Sequence, residues 1–290
     1  MDFLSRCKEN VFLSTISTFQ IGGPARLFFE SKSVEDMQEA LQWAFTTRTK
    51  IFVIGKGSNT LFADEGFDGL VIQNGIVHCT QTSETFSVGS GHSFSLLGVR
   101  TARAGWGGLE FAAGIPGTVG GAVYMNAGAN GQSAADVVYS VDYVDEKGQL
   151  KTIPRAKIEF GYRFSSFQSL DGVIVSVDMQ LHSLPEAVTR QREMLERRKQ
   201  TQPYFEKSAG CSFRNPPNLS AGKLIDEAGL KGVKIGGAQV STLHANFIIN
   251  TGDAKASDVL ELLTHIRKTV HEKTGVLLEP EVRIIDAQGE

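Results

Sequence analysis

Ser33 precedes a segment in which Met37, Leu41, Ala44 and Phe45 recur at helical spacing, with Asp36 three residues beyond the serine; this predicts an N-capped helix through Phe45. The uniformly apolar run Ile51-Phe52-Val53-Ile54 is too short for a helix and predicts a buried strand. Leu70-Val71-Ile72 and Thr85-Phe86-Ser87-Val88 predict further strands, followed by a helix around 94–104. Segments 137–144, 149–153 and 173–181, with a turn at Glu146-Lys147-Gly148, read as antiparallel strands with one wet face. Pro185 opens a charged helix over 186–200, in which Glu193 can pair with Arg197. Its apolar stripe is thin, so it reads as a solvated connector, and the run Arg197-Arg198-Lys199 reads as its wet face.

The last third, 201–290, reads as a separate unit. Leu224, Ile225 and Leu230 mark a short helix closed by Gly229, and Phe247-Ile248-Ile249 a strand. Ser257 is the expected cap of a long amphipathic helix carrying Val259, Leu262, Leu263, Ile266 and Val270, which Gly275 ends before a closing strand at 282–285.

Composition narrows the function classes. The 290 residues are 41% hydrophobic and 21% charged, with a net charge of −3, so no basic footprint for nucleic acid is present. No apolar run approaches the roughly 20 residues that span a bilayer. Asp2 follows Met1 and no long apolar stretch comes after it, so no signal peptide is expected. Cys7, Cys79 and Cys211 form no CxxC pair and suit a reducing cytoplasm. The six histidines are scattered without i, i+4 pairing, and no metal is expected.

Two glycine-rich loops carry the first chemical signal. Gly55-Lys56-Gly57-Ser58-Asn59-Thr60-Leu61 and Gly114-Ile115-Pro116-Gly117-Thr118-Val119-Gly120-Gly121, continuing through Asn126-Ala127-Gly128-Ala129, each follow an apolar run that reads as a strand. Loops so poor in side chains let backbone N–H groups approach an anion, and two of them predict a large phosphorylated cofactor held from both sides. Common templates fail: Thr60 stands where a GxGxxG loop needs its third glycine, and Gly222-Lys223 runs into Leu224 rather than completing a P-loop. No GxSxG or HExxH occurs.

Four further segments stand out: Phe160-Gly161-Tyr162-Arg163-Phe164-Ser165, Ser208-Ala209-Gly210-Cys211-Ser212-Phe213-Arg214-Asn215-Pro216, Gln239-Val240-Ser241-Thr242-Leu243-His244-Ala245-Asn246 and Leu278-Glu279-Pro280-Glu281-Val282-Arg283. Singly, each has a bland explanation, such as a surface cation–π contact for Arg163. Together, in order, with AGKLIDEAGLKG at 221–232 and Thr18-Phe19-Gln20-Ile21-Gly22-Gly23-Pro24-Ala25, they closely resemble the UDP-N-acetylenolpyruvoylglucosamine reductases of bacterial cell-wall synthesis. The resemblance spans about 15–286. The short stretch between Asn130 and Val144 matches the shorter, type II subclass.

The resemblance implies an α+β chain: an FAD-binding fold of the vanillyl-alcohol-oxidase/PCMH type, made of two α/β subdomains (1–78 and 79–185), and a connector helix with a substrate-binding domain (186–290). It implies non-covalent FAD, NADPH as co-substrate and UDP-N-acetylglucosamine enolpyruvate as substrate, in a cytoplasmic monomer with no nucleic-acid or membrane partner. Backbone of Gly55, Lys56, Gly57, Ser58, Asn59, Thr60, Gly114, Pro116, Gly117, Thr118, Gly120 and Gly121 would surround the pyrophosphate, while Asn126, Ala127 and Gly128 would lie against the flavin ring. Arg283 is a further candidate for the flavin. Arg163 matches the catalytic arginine and would stabilise an enolate-like carboxylate. Glu281 matches the catalytic glutamate; an ionised carboxylate there would repel the forming dianion, which predicts a raised pKa.

The proton donor departs from the commoner pattern, because Cys211 stands where the family usually has serine and Ser212 follows it. Neighbours on an extended segment point opposite ways, which favours Cys211 as donor and leaves Ser212 as the alternative. Tyr162, Arg214, Asn215, Gln239 and Asn246 are the expected substrate contacts, ahead of His244. Two rivals stay open: an FAD oxidase or dehydrogenase of the same fold acting on a small alcohol or sugar, and a flavin-binding module without catalysis.

Overall fold

The computed structural model describes residues 2–289. The chain forms two compact units: the first holds the chain to Lys8, Phe28–Gly55 and Leu70–Arg198, and the second holds Glu9–Leu27, Lys56–Gly69 and the chain from Lys199. This differs from the three consecutive blocks expected, since segments 9–27 and 56–69 pack with the C-terminal third. Burial explains the difference: Phe19, Ile21 and Leu61 share one apolar cluster with Phe213, Ile248 and Leu263.

In the first unit the helix Val34–Thr47 starts as expected, with the Ser33 hydroxyl accepting from Asp36 N at 3.1 Å. Ile51–Ile54 runs parallel to Leu70–Gln73, part of the strand Phe67–Asn74. A five-stranded antiparallel sheet follows, in the order Leu150–Pro154, Val138–Asp145, Gly172–Gln180, Thr85–Gly89, Cys79–Thr82. Its outer strands are exposed, but in the central one Val173, Ile174, Val175, Ser176 and Val177 are all buried, so the expected wet face is absent there. The helices Val34–Thr47 and Val119–Tyr124 both pack on that strand and cover it.

Another difference bears on the site. The apolar run before the second glycine loop is a buried 3-10 turn, Glu110–Ala112, and not a strand. Short apolar runs carry no period that separates the two. The charged helix, Ala187–Thr201, buries only Ala187 and Gln191 among its described residues, in keeping with a solvated connector, and the division between the units falls within it.

The second unit holds a four-stranded antiparallel sheet in the order Ser208–Cys211, Phe247–Asn250, Ala238–Val240, Lys234–Ile235. Arg283–Ile285 pairs in parallel with Thr60–Phe62. The long helix, Ala256–Thr274, buries the predicted stripe and closes on Gly275 in the left-handed region, φ 73°. Its start differs from expectation. Ser257 lies inside the first turn, and the carboxylate of Asp64 accepts from Ala256 N at 2.7 Å and Ser257 N at 3.1 Å. A carboxylate from a remote segment thus satisfies the orphan amides and complements the helix dipole, the task assigned to a local cap. Among the described residues, no helix is long and apolar enough to cross a membrane.

Candidate active site

In the first unit the second glycine loop opens the helix Val119–Tyr124. The Thr118 hydroxyl accepts from Gly121 N at 3.3 Å. Beneath it, Val119 N donates to His92 O at 2.9 Å and Gly120 N to Ser90 O at 2.8 Å, while Gly114 N reaches Ser95 Oγ at 2.7 Å. The sequence predicts the amides of Gly114, Gly120 and Gly121 around a diphosphate; these bonds instead commit them to protein acceptors. Glycine is required here for close approach: a Cβ on Gly120 would lie 2.9 Å from Ser90 Cβ, and one on Gly55 would lie 2.5 Å from Thr118 Oγ1. The loop therefore turns a surface of Pro116 and Gly121, both exposed, with half-buried Gly117 between them, outward from a rigid base.

Asn126 ties this loop to the segment that carries Arg163. It is 8% exposed, its Nδ2 donates to Gly161 O at 2.8 Å, and its Oδ1 accepts from Ala135 N at 3.0 Å. Its side-chain amide is thus paired on both sides with backbone groups. Phe160–Gly161 and Phe164–Ser165 form a hairpin whose two-residue turn is Tyr162-Arg163. Arg163 sits at φ 55°, a conformation costly for a side chain of this size. The turn is held from behind: Ser165 Oγ and Gln168 Nε2 both donate to Tyr124 O, at 2.7 and 2.8 Å, and Gln168 also reaches Arg163 O at 3.1 Å. The guanidinium lies 5.0 Å from the Tyr162 ring centroid and donates to Gly128 O at 3.4 Å. The cation–π contact thus exists, and the same arginine is laid beside the end of the second glycine loop.

The second unit assembles the first glycine loop, Cys211 and Glu281. Ser208 pairs with Ile249 but Cys211 with Phe247, so one extra residue bulges out, and Gly210 takes it at φ 77°. The bulge faces loop one: a Cβ on Gly210 would meet Ser58 O at 3.8 Å. Beyond it, Ser212 N donates to Asn246 O at 2.8 Å, Glu281 N donates to Ser212 O at 2.8 Å, and Phe213 bridges Pro280 in antiparallel fashion. Cys211 and Glu281 therefore come from adjacent antiparallel segments. Ser212 is 6% exposed whereas Cys211 is half-buried. Asn59 Nδ2 donates to Glu281 O at 3.3 Å and Asn59 O accepts from Arg283 N at 3.0 Å, so this residue joins loop one to the glutamate's backbone.

The expected substrate contacts divide. Tyr162 is 52% exposed and Arg214 half-buried. Asn215 Oδ1 accepts from Ala221 N at 3.0 Å, at the start of the helix Ala221–Glu227, and Gln239 Nε2 donates to Gly232 O at 3.1 Å. Asn246 is 3% exposed, with Oδ1 accepting from Phe213 N at 2.9 Å and Nδ2 donating to Phe213 O at 2.8 Å. Both polar atoms of the Asn246 side chain are thus paired with the Phe213 backbone. Burial pushes the His244 pKa down, which keeps the ring neutral, and its Nδ1 accepts from Asn246 N at 3.2 Å. One residue had no role in the sequence reading: Thr18, whose signal was its place in the Thr18–Ala25 motif.

A side-chain-poor loop seated on an α+β unit, with an arginine at its end, and a cysteine and a glutamate on adjacent segments whose backbone meets a further glycine loop, fits a flavoprotein oxidoreductase. Residues 25–153 match the family model described as FAD binding domain. Residues 202–285 match that of the UDP-N-acetylenolpyruvoylglucosamine reductase C-terminal domain. The chain is 52% identical over 98% of its length to UDP-N-acetylenolpyruvoylglucosamine reductase of Protochlamydia amoebophila (strain UWE25), covering 96% of that protein. It is 51% identical over 96% of its length to the reductase of Chlamydia trachomatis serovar A (strain ATCC VR-571B / DSM 19440 / HAR-13), again covering 96% of the relative. The crystal structure of UDP-N-acetylenolpyruvylglucosamine reductase from Thermus caldophilus superposes with a TM-score of 0.82 at 38% identity, over 96% of this chain and 99% of that one. The chain belongs to the UDP-N-acetylenolpyruvoylglucosamine reductase family and has its FAD-binding fold and C-terminal domain.

Proposed function

We propose that this enzyme reduces the enolpyruvyl ether of UDP-N-acetylglucosamine enolpyruvate to the lactyl ether of UDP-N-acetylmuramate, using NADPH, in the cytoplasmic supply of peptidoglycan precursors. The observation that carries the reading is the half-buried Cys211 thiol on a bulge beside both a glycine loop and the Glu281 segment, in a chain of this family. FAD, when bound, would supply hydride chemistry between NADPH and the terminal alkene carbon of the substrate. Gly117 and Gly121 of the second glycine loop and the 55–60 segment are the residues that would hold that cofactor. Negative charge then develops on the neighbouring carbon and its carboxylate. Arg163 meets that charge, an interaction stronger in the transition state than in the ground state and therefore catalytic.

Cys211 gives its proton to that carbon. An unperturbed thiol titrates at about 8.5, far below a serine hydroxyl, so replacing the family's usual serine leaves a competent acid. Glu281 helps orient and polarise that centre, through water or as a neutral carboxyl, since a carboxylate in direct contact would repel the developing dianion. Ser212, 6% exposed beside the half-buried Cys211, is the alternative donor that the Cys211→Ala experiment tests.

Stopped-flow measurement separates the steps. NADPH bleaches the flavin, and anaerobic UDP-N-acetylglucosamine enolpyruvate restores its colour. Cys211→Ala keeps the bleaching and slows the recolouring by roughly a thousandfold or more, while Cys211→Ser retains substantial turnover. Full turnover by Cys211→Ala would remove the thiol from the mechanism.

A further inference from the structure

We infer that Thr18 is a positioning residue for the proton transfer: it clasps the first glycine loop to the bulge that carries Cys211. The half-buried Thr18 reaches both: its Oγ1 lies 2.8 Å from Ser208 O and 3.3 Å from Gly57 O, and its N donates to Gly57 O at 3.4 Å. Ser208 is the last residue in regular register before the bulge, and Gly57 lies within the loop whose Ser58 carbonyl faces Gly210. Asn250 Nδ2 donates to Phe19 O at 3.0 Å, so the residue after Thr18 is tied to the neighbouring strand as well.

A bulge needs such a clasp. The extra residue is left out of the ladder, so between Ser208 and Cys211 the strand has no regular pairing to fix its direction. Downstream, the Ser212–Asn246 and Phe213–Asn246 bonds hold the segment. Upstream, Ser208 pairs with Ile249, and the Thr18 hydroxyl adds the one bond in this set that joins the strand to the glycine loop. With both ends held, the thiol keeps one direction relative to loop one. Loss of the hydroxyl leaves the upstream end paired within its own sheet, where Asn250 N donates to Lys207 O at 2.9 Å, but cuts its bond to the glycine-loop side, and a proton donor misplaced by about 1 Å costs on the order of a hundredfold.

This inference rests on Cys211 as the donor, which the Cys211→Ala experiment tests independently of Thr18. The test uses holoenzyme carrying Cys7→Ser and Cys79→Ser, so that Cys211 is the sole thiol. Thr18→Val should leave flavin reduction by NADPH within threefold, slow reoxidation by the sugar nucleotide at least thirtyfold, and raise the solvent deuterium isotope effect on reoxidation. N-ethylmaleimide should alkylate Cys211 at least tenfold faster in that variant. Thr18→Ser should return all of these to within threefold of the parent. An equal slowing of both half-reactions, or an unchanged alkylation rate, overturns the clasp. Should Thr18→Val fold poorly or lose its flavin, hydrogen exchange on the unmodified holoenzyme decides: segments 17–19 and 207–211 should open with the same free energy. Free exchange in 207–211 beside a protected 17–19 also overturns it.

Discussion

Each unit uses a buried asparagine to hold a reactive segment, but the two do it differently. In the first, Asn126 Nδ2 donates to Gly161 O at 2.8 Å, two residues before Arg163, while its Oδ1 accepts from Ala135 N at 3.0 Å in a third stretch of chain. In the second, Asn246 puts both side-chain bonds on Phe213, two residues after Cys211, and its carbonyl accepts from Ser212 N at 2.8 Å. Asn126 is a node between loops; Asn246 imitates a strand partner. Arg163 stands on a tight turn with little ladder of its own, so its support must come from several directions. Cys211 stands at a strand end, where Asn246 replaces the missing ladder on the downstream side and the Thr18 hydroxyl meets the upstream side at Ser208.

That contrast predicts unequal losses. Asn246→Ala leaves the N–H and C=O of Phe213 unpaired in a site 3% exposed, which costs about 3–4 kcal/mol at 1–3 kcal/mol per orphaned group. Asn126→Ala frees one group on each of two segments in a slightly more open site and costs about 2–3 kcal/mol, part of it because alanine must adopt φ 43°. Asn126→Gly recovers the backbone part, whereas Asn246→Gly recovers nothing. Urea midpoints of the four variants check this order. An Asn246→Ala protein as stable as the parent would show that Phe213 finds other partners.

The next contrast concerns where the strained backbone sits. The first unit places Arg163 itself at φ 55°, and the second places Gly210, the residue before Cys211, at φ 77°. Gly210→Ala has room for its Cβ, with Ser58 O at 3.8 Å, so its cost is conformational, about 1–2 kcal/mol. Because the bulge must shift, reoxidation by the sugar nucleotide should slow more than flavin reduction does. Arg163→Gly relieves an equivalent strain but adds unfolded-chain entropy, leaving the melting temperature about where it was. Turnover with the sugar nucleotide should nevertheless fall by roughly a hundredfold or more as its anion loses the guanidinium. A stability loss on Arg163→Gly comparable to that of Gly210→Ala would show that the turn is held by side-chain contacts of the arginine.

Much of this was readable in advance because the signals are local. The Ser33 cap, the stripe from Val259 to Val270 and the stop at Gly275 depend on residues a turn apart. What was hidden depends on distant partners. Asp64 caps the long helix from 192 residues away, and no local pattern announces that. Segments 9–27 and 56–69 join the C-terminal unit through apolar contacts that read like any other buried run. The backbone partners of the asparagines were hidden for a chemical reason: an amide offers a ligand the same donor and acceptor that it offers a backbone, so nothing local announces that Asn126 holds Gly161 and Ala135 or that Asn246 holds Phe213. Cys211 was legible as a candidate because a thiol in a serine position is itself a chemical statement.

The smallest expected effect comes from a buried polar group that lacks the pairing both asparagines enjoy. Tyr143 is 4% exposed, and among the described residues its hydroxyl is the buried side-chain oxygen without a hydrogen-bond partner. Burial, followed by the nearby Asp171, Asp145 and Glu146, pushes its pKa up, so the hydroxyl stays protonated with its donor unused. Its ring packs on Phe167 at 5.7 Å between centroids, and phenylalanine retains that contact. Tyr143→Phe should therefore leave stability unchanged or raise it by up to about 1 kcal/mol, since an orphaned buried donor is removed and no partner is stranded. Asn246→Ala strands two. A clear drop in the melting temperature of Tyr143→Phe would mean that the hydroxyl has a partner in solution, and the distinction between paired and unpaired buried groups would then rest on the asparagines alone.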